Sequence, residues 1–232
     1  LARQVAKSMG LTACFLPKPI QGLNGSGMHT NISLAKDGVN MFYDKNGDQN
    51  LSDMARKFIT SILYYAKDLC LLINSSVNAY RRLDPHFEAP NEIKVSPTDR
   101  GSMIRIPIGN AKSARVEVRT VAPDCNPYLC LYALIRAGLK GIGASGEELV
   151  EMEKVVYKDH VEKLPGDIYE AIDYFRNSEY AKEILGEHNH EKFAELKERA
   201  AHRSPRALGT RLKAGEVLYH HEVSNQLIWA NY

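Results

Sequence analysis

The stretch RGSMIRIPIGNAKSARVEVR, residues 100–119, constrains this chain more than any other. It gathers Arg100, Arg105, Lys112, Arg115 and Arg119 around one acid, Glu117. Two apolar-alternating runs, 103–108 and 114–121, flank Gly109 and Asn110, which predicts two strands joined by a short loop. Along the second run, a period of two sets Arg115, Glu117 and Arg119 on one face, with Val116 and Val118 on the other. Guanidinium forks bind phosphate and carboxylate bidentately, so such a face suits a polyanion. The carboxylate among them suits a hard divalent cation bridging phosphate oxygens. A surface ion-pair ladder is the commoner account of an isolated Arg-x-Glu-x-Arg, and only the rest of the chain can reverse it.

Upstream, Leu1, Val5 and Met9 recur at helical spacing, and residues 12–16 read as a short strand stopped by Pro17 and Pro19. A glycine-rich loop, Gly22 to Gly27, runs into residues 28–34, where His29, Asn31 and Ser33 alternate with Met28, Thr30, Ile32 and Leu34. That alternation predicts a strand with three polar groups on one face. Gly25 and Gly27 permit close backbone approach to a ligand and Asn24 offers an amide, although a plain turn and a structural histidine fit as well. Asn46-Gly47 marks a hairpin turn. Ser52 caps a helix reaching about residue 72, with Met54, Phe58, Ile62 and Tyr65 as its core stripe. Residues 74–91 read as loop, and the prolines on both sides of Glu88 fit either a lid or a plain connection.

Beyond the Arg-rich hairpin, Asp124, Asn126 and Pro127 start a helix over 128–140 that Gly141 ends. Everything from residue 146 reads helical: 147–157, 167–177, 179–185, 191–202 and 216–230. His188, Asn189 and His190 read as solvated, as do His220 and His221. A net charge of +2 without a basic block argues against a nucleic-acid partner. The longest apolar run, 69–73, is too short for a membrane span. Four cysteines without metal-ligand spacing read as thiols of a reducing compartment, which predicts a cytoplasmic protein. The chain opens at Leu1 in the middle of a helical pattern, so a fragment of a longer protein is expected.

Several short motifs then line up: Lys18-Pro19, NGSGMH at 24–29, VNAYRRL at 77–83, EAP at 88–90, RIP at 105–107, RVEVR at 115–119 and NPYL at 126–129. Their order and spacing resemble the glutamine synthetase family, in the later part of its catalytic domain, over residues 1–145. The resemblance implies an α+β fold: antiparallel strands from an open barrel-like domain, outer helices, and a helical extension over 146–232. By the same resemblance, the family's N-terminal small domain is expected to lie outside this stretch. It also implies ATP-dependent ligation of ammonium to the γ-carboxylate of L-glutamate through γ-glutamyl phosphate, in a homo-oligomer of stacked rings for the intact enzyme.

By that resemblance His29 and Glu117 ligate Mg2+ or Mn2+, and Arg100 and Arg105 stabilise the transferring phosphoryl group. Asn31, Ser33, Lys112 and Arg115, with Arg100 and Arg105, bind ATP as co-substrate. Arg82 and Arg119 clamp the glutamate carboxylates, Asn24 and Gly25 hold its amino end, and Glu88 closes the site and takes a proton from ammonium. Glu162 stands where regulated bacterial members carry an adenylylated tyrosine, which predicts no such control here. Most metal-binding carboxylates of the family lie upstream of this region, so the isolated chain is expected not to turn over. Two alternatives remain: a γ-glutamyl-amine or polyamine synthetase of the same family, and a non-catalytic homologue.

Overall fold

The central helix begins where the Ser52 hydroxyl accepts a hydrogen bond from the Ala55 amide at 3.2 Å. A computed structural model describes residues 1–20, 22–83 and 89–202. From Ser52 run α2 (Asp53–Tyr64) and α3 (Ala66–Ile73), parted at Tyr65, whose φ of −90° and ψ of 13° leave the helix. The single helix expected as far as residue 72 is therefore two. The break frees each half to follow its own partner: α2 packs on α5 (Pro127–Gly143), whereas α3 packs on α7 (Ile168–Arg176). Tyr65 itself stacks on Tyr180 at 3.8 Å between ring centroids.

Asn126 starts α5 by accepting from the Tyr128 and Leu129 amides at 3.0 and 3.3 Å, with Pro127 in the first turn, where its missing N–H costs nothing. Gly141, expected to end this helix, lies inside it. A Cβ there would fall 2.2 Å from the Lys57 carbonyl oxygen, and one on Gly138 would fall 2.0 Å from the Phe58 ring. These glycines let α2 and α5 approach more closely than side chains would allow.

Four strands form the main sheet in the order β1 (Thr30–Ile32), β6 (Val116–Val118), β5 (Ser102–Arg105), β4 (Glu92–Ser96). The β1–β6 and β6–β5 pairs are antiparallel as expected, whereas β5 and β4 run parallel. β4 was not anticipated. The hairpin strands are shorter than their alternation suggested, and the link between them is the long loop 106–115. There the Asn110 carbonyl accepts from the Ser113 and Ala114 amides at 3.0 and 2.9 Å, and Pro107 has no N–H to extend the ladder. A ribbon of β2 (Ala35–Lys36) and β3 (Val39–Asn40) stands apart. The predicted hairpin at Asn46-Gly47 is a loop closed by a lone Tyr43–Leu51 bridge, with a 3-10 turn over Asp48–Asn50.

Residues 12–16 form no strand, in contrast to the alternation read there. The supposed loop 74–91 holds α4 (Val77–Arg82), capped by the Ser76 hydroxyl on the Ala79 amide at 3.1 Å. α1 (Ala2–Ser8) opens the chain with no buried residue. After α5 come α6 (Gly146–Val156), capped reciprocally by Ser145 and Glu148, then α7 on its Asp167 cap, α8 (Glu179–Leu185) and α9 (Glu187–Ala201). This helical extension docks on the sheet: the Ile93 amide donates to the Glu162 carbonyl at 2.8 Å, and the Leu164 amide to the Asn91 carbonyl at 2.9 Å.

His190, expected in solvent, is 4% exposed. It stacks on Phe175 at 4.6 Å, and its Nε2 lies 2.7 Å from the Phe175 carbonyl oxygen, because α9 folds back over α7. One apolar cluster joins Phe58, Ile62 and Phe175 to Ile32, Ile104, Val116 and Val118 on the inner face of the sheet. The expected helix 216–230, with His220, His221 and Trp229, lies outside the described residues, as do His86 and Glu88. Among the described residues no helix is long and apolar enough to cross a membrane.

Candidate functional site

Strand register decides which polar residues share the outer face. Asn31 of β1 stands opposite Glu117 of β6, Glu117 opposite Arg105 of β5, and Arg105 opposite Ser96 of β4. Directly opposed residues project to the same side, so these four form one row across the sheet. On the reverse side Val116, Val118 and Ile104 are fully buried. The row is held up by a dry apolar layer.

Glu117 is 5% exposed and is the centre of the row. Its Oε2 accepts from Arg105 Nη2 at 2.6 Å, while its Oε1 lies 3.0 Å from His29 Nδ1 and 3.7 Å from Arg119 Nε. Arg115 Nε donates to Asn31 Oδ1 at 2.9 Å, and Arg119 Nη1 donates to the Arg100 carbonyl at 2.6 Å. An ion-pair ladder is thus present, but it is not balanced. Arg105, Arg115 and Arg119 surround one carboxylate, and the buried Nε groups of Arg105 and Arg119 have no hydrogen-bond partner. Buried N–H donors without acceptors are costly, and an anion placed on this face relieves them.

Arg82, 7% exposed at the end of α4, turns inward. Its Nη2 donates to the Arg119 carbonyl at 2.8 Å, and its Nη1 to those of Thr120 and Val121 at 2.9 and 3.3 Å. Burial, followed by the Arg119 charge, brings its pKa down to about 10. The glycine loop lies directly over this side chain. A Cβ on Gly27 would fall 2.4 Å from Arg82 Nη2, and one on Gly25 would fall 2.3 Å from the Pro17 carbonyl oxygen. Asn78 pins the loop's start: its Oδ1 accepts from the Lys18 amide at 2.6 Å and its Nδ2 donates to the Lys18 carbonyl at 3.0 Å. The Lys18-Pro19, NGSGMH and VNAYRRL motifs are therefore one structural unit beside the row. Partial desolvation of a side chain that is still 40% exposed holds the His29 imidazole below its ordinary pKa, with Arg119 and Arg82 acting in the same direction and Glu117 opposing, so the ring is neutral near pH 7.

A family model described as glutamine synthetase, catalytic domain, matches residues 1–209. The chain belongs to the glutamine synthetase family. It is 40% identical to a glutamine synthetase of Thermus thermophilus over 206 residues, covering 85% of this chain and 46% of that protein. Against the Methanosarcina mazei glutamine synthetase it is 41% identical over 196 residues, covering 81% and 44%. A solved structure titled "Apo GmaS without ligand" superposes with a TM-score of 0.70 at 31% identity, covering 85% of this chain and 46% of that one. The chain spans about half the length of these relatives.

For a glutamine synthetase family member, the donor set on the row fits part of a divalent-cation site. One neutral imidazole and one carboxylate converge, and hard cations accept such O and N donors alongside water and phosphate oxygens. Among the described residues no group of three or more His, Cys, Asp or Glu converges on one point, so this face offers two such donors. Asn24, Gly25, Ser33 and Lys112 are exposed, Asn24 and Gly25 on the glycine loop, Ser33 just past β1, and Lys112 on the loop 106–115. Arg100 is exposed beside Arg119. Sequence reasoning missed Ser96, the fourth member of the row. The alternation of Ile93 and Val95 with Glu92, Lys94 and Ser96 was its available signal.

Proposed function

We propose that this chain carries the phosphate-binding and glutamate-binding part of an ATP-dependent ligase. The reaction joins ammonium to the γ-carboxylate of L-glutamate through γ-glutamyl phosphate and releases glutamine, ADP and phosphate. The observation that carries this reading is the Asn31–Glu117–Arg105 row with His29 against its central carboxylate and unpartnered guanidinium donors around it.

In this reading His29 and Glu117 hold Mg2+ or Mn2+, which when bound neutralises phosphate oxygens. Arg105 and Arg100 then stabilise the charge that develops on the transferring phosphoryl group, a largely electrostatic task. Asn31, Ser33, Lys112 and Arg115 line the nucleotide side. Arg119 clamps a glutamate carboxylate, Arg82 holds the backbone behind it, and Asn24 and Gly25 meet the amino end. Glu88 shuts out water, to which an acyl phosphate is vulnerable, and accepts the ammonium proton. Residues 1–145 bear the site, and the described part of the helical extension, 146–202, belongs to the same catalytic unit. The intact enzyme is a homo-oligomer with sites between subunits. Its free cysteines suit a reducing, cytoplasmic setting.

Two donors do not complete a cation shell, so the purified chain is expected to bind ADP in a metal-dependent way without turning over. Calorimetric titration with Mg-ADP, with and without EDTA, tests the binding. ADP affinity indifferent to metal would sink the reading and leave the non-catalytic homologue. Phosphate release from Mg-ATP with L-glutamate and ammonium tests the half-site. Turnover there would overturn it, and turnover only with an organic amine would assign the chain to the γ-glutamyl-amine branch.

A further inference from the structure

Residues 97–101 make an uncommon connection. β4 and β5 are parallel neighbours, with Glu92 beside Ser102 and Ser96 beside Arg105. Parallel neighbours are ordinarily joined by a crossover of about a dozen residues or more, whereas here five residues return the chain along the length of β4. So short a return has little slack, and Arg100 lies within it.

Each residue around Arg100 is tied down by a side chain. The Ser96 hydroxyl accepts from the Thr98 and Asp99 amides at 3.3 and 3.0 Å. Asp99 Oδ1 accepts from the Gly101 amide at 2.8 Å. Lys94 Nζ lies 2.7 Å from Asp99 Oδ2 and 2.6 Å from Glu92 Oε2, which fastens the return to the strand it runs beside. A Cβ on Gly101 would fall 3.0 Å from Glu92 Oε2 and 3.3 Å from Asp99 Oδ1, so the glycine lets strand and return close on each other. The Arg100 carbonyl accepts from Arg119 Nη1 at 2.6 Å, and Arg119 Nε lies 3.7 Å from Glu117. The return is thereby tied to the central carboxylate of the row.

We propose that Lys94, Ser96 and Asp99 are positioning residues for Arg100, fixing its backbone so that the guanidinium meets the phosphate side of the row. This rests on the reading of Arg100 as a phosphate ligand. An exposed arginine gives up rotamer freedom when it meets an anion, and a backbone already fixed leaves less to order at that moment. Ser96 and Asp99 set the turn by accepting its amides, and Lys94 holds the turn against β4. Lys94 has an electrostatic task as well. Asp99 puts a negative charge one residue from Arg100, where it would repel a phosphate, and the Lys94 ammonium takes up that charge. The hydrogen bond from Lys94, with that from the Gly101 amide, holds the Asp99 carboxyl below its ordinary pKa, so the pair is ionised at neutral pH.

Calorimetric titration of the full chain with the magnesium complex of a non-hydrolysable ATP analogue tests this through a double-variant cycle. Arg100→Gln is expected to weaken the affinity about tenfold by removing a charged hydrogen-bond donor. Asp99→Ala is expected to weaken it about fivefold by releasing the turn. The double variant is expected to bind no more weakly than Arg100→Gln alone, because Asp99 acts through Arg100. A general loosening of the face would instead act through Arg119 too and weaken the Arg100→Gln background further. Ser96→Ala removes the acceptor of two other amides in the same turn and is expected to give the same pattern, so the test does not hang on one variant. Losses that multiply in the double variants, or Asp99→Ala and Ser96→Ala both within about twofold of the wild type, overturn the positioning role and leave Arg100 a phosphate ligand. Arg100→Gln within about twofold of the wild type overturns the phosphate role of Arg100 and the positioning with it.

Discussion

The two faces of the main sheet obey opposite rules. On the inner face Val116, Val118 and Ile104 are fully buried against the helix layer, where hydrophobic burial and close packing hold the molecule together. One residue away in sequence, the outer face keeps Glu117 among three arginines, two of which have a buried donor without a partner. The inner face is apolar where the helices cover it, whereas the outer face carries charged donors without acceptors. Arg176 Nε on α7 lacks a partner as well, so what singles out the outer face as the candidate ligand face is that two such donors and His29 converge on one carboxylate.

Substitutions should separate these faces, and the largest effect belongs to the layer behind the inner one. Phe58 contacts the Phe42 ring, with centroids 5.1 Å apart, and fills the space left by Gly138. Phe58→Ala is expected to cost about 3–5 kcal/mol of unfolding free energy by urea titration, with the ADP affinity of the folded fraction unchanged. A large affinity loss at constant stability would erase the distinction between the faces. Next in size is Arg82→Met, which leaves the carbonyls of Arg119, Thr120 and Val121 without their donor. Its expected cost is about 2–3 kcal/mol, and because the glycine loop rests on this side chain, glutamate affinity should fall with it. Arg82 is where the two faces are coupled, and a stability loss without an affinity loss would uncouple them.

Glu117→Gln acts on the outer face alone. The loss of a charged partner for His29 and Arg105 should lower metal-dependent ADP affinity by about 1.5–3 kcal/mol, roughly ten- to a hundredfold. Calorimetry with and without EDTA reads it. An affinity unchanged within twofold would mean that Glu117 is a ladder residue after all.

The outer face was legible because a period of two survives in so short a strand: Arg115, Glu117, Arg119, and separately His29 and Asn31, announce their face before any partner is known. What the alternation cannot give is which strands are neighbours. The parallel β4–β5 pair, and with it Ser96, depends on contacts between segments that carry no mark of each other. The break at Tyr65 and the burial of His190 escaped for the same reason, since both are decided by α8 and α7 packing from more than a hundred and from fifteen residues away respectively. Gly141 misled because the glycine that ends a helix and the glycine that lets two helices touch look alike in one dimension. Arg82 resembled a ligand clamp in sequence, yet its guanidinium is turned onto three backbone carbonyls, a use that only the fold reveals.

The smallest expected effect is the pH dependence of His29, and it sharpens the comparison most because it reads the imidazole's own environment. A free imidazole with a pKa near 6.5 would be half protonated at pH 6.5, halving the affinity of any metal it ligates. Burial, aided by Arg119 and Arg82, lowers the His29 value, so metal-dependent ADP affinity should fall less than twofold between pH 7.5 and 6.5. A steeper loss belongs only below the lowered value. The nucleotide phosphate titrates in the same range, so His29→Gln supplies the baseline and the difference between the two profiles is the quantity of interest. The sign for stability follows from the same shift. Between the lowered folded pKa and about 6.5 the unfolded chain binds the proton more readily, so the His29 contribution makes stability rise with pH across that window and level off above it. A wild-type-minus-His29→Gln profile with its midpoint at or above 6.5 would mean that the Glu117 carboxylate, rather than burial among arginines, governs the imidazole. In that case the outer face is a closed ion pair and not an open site.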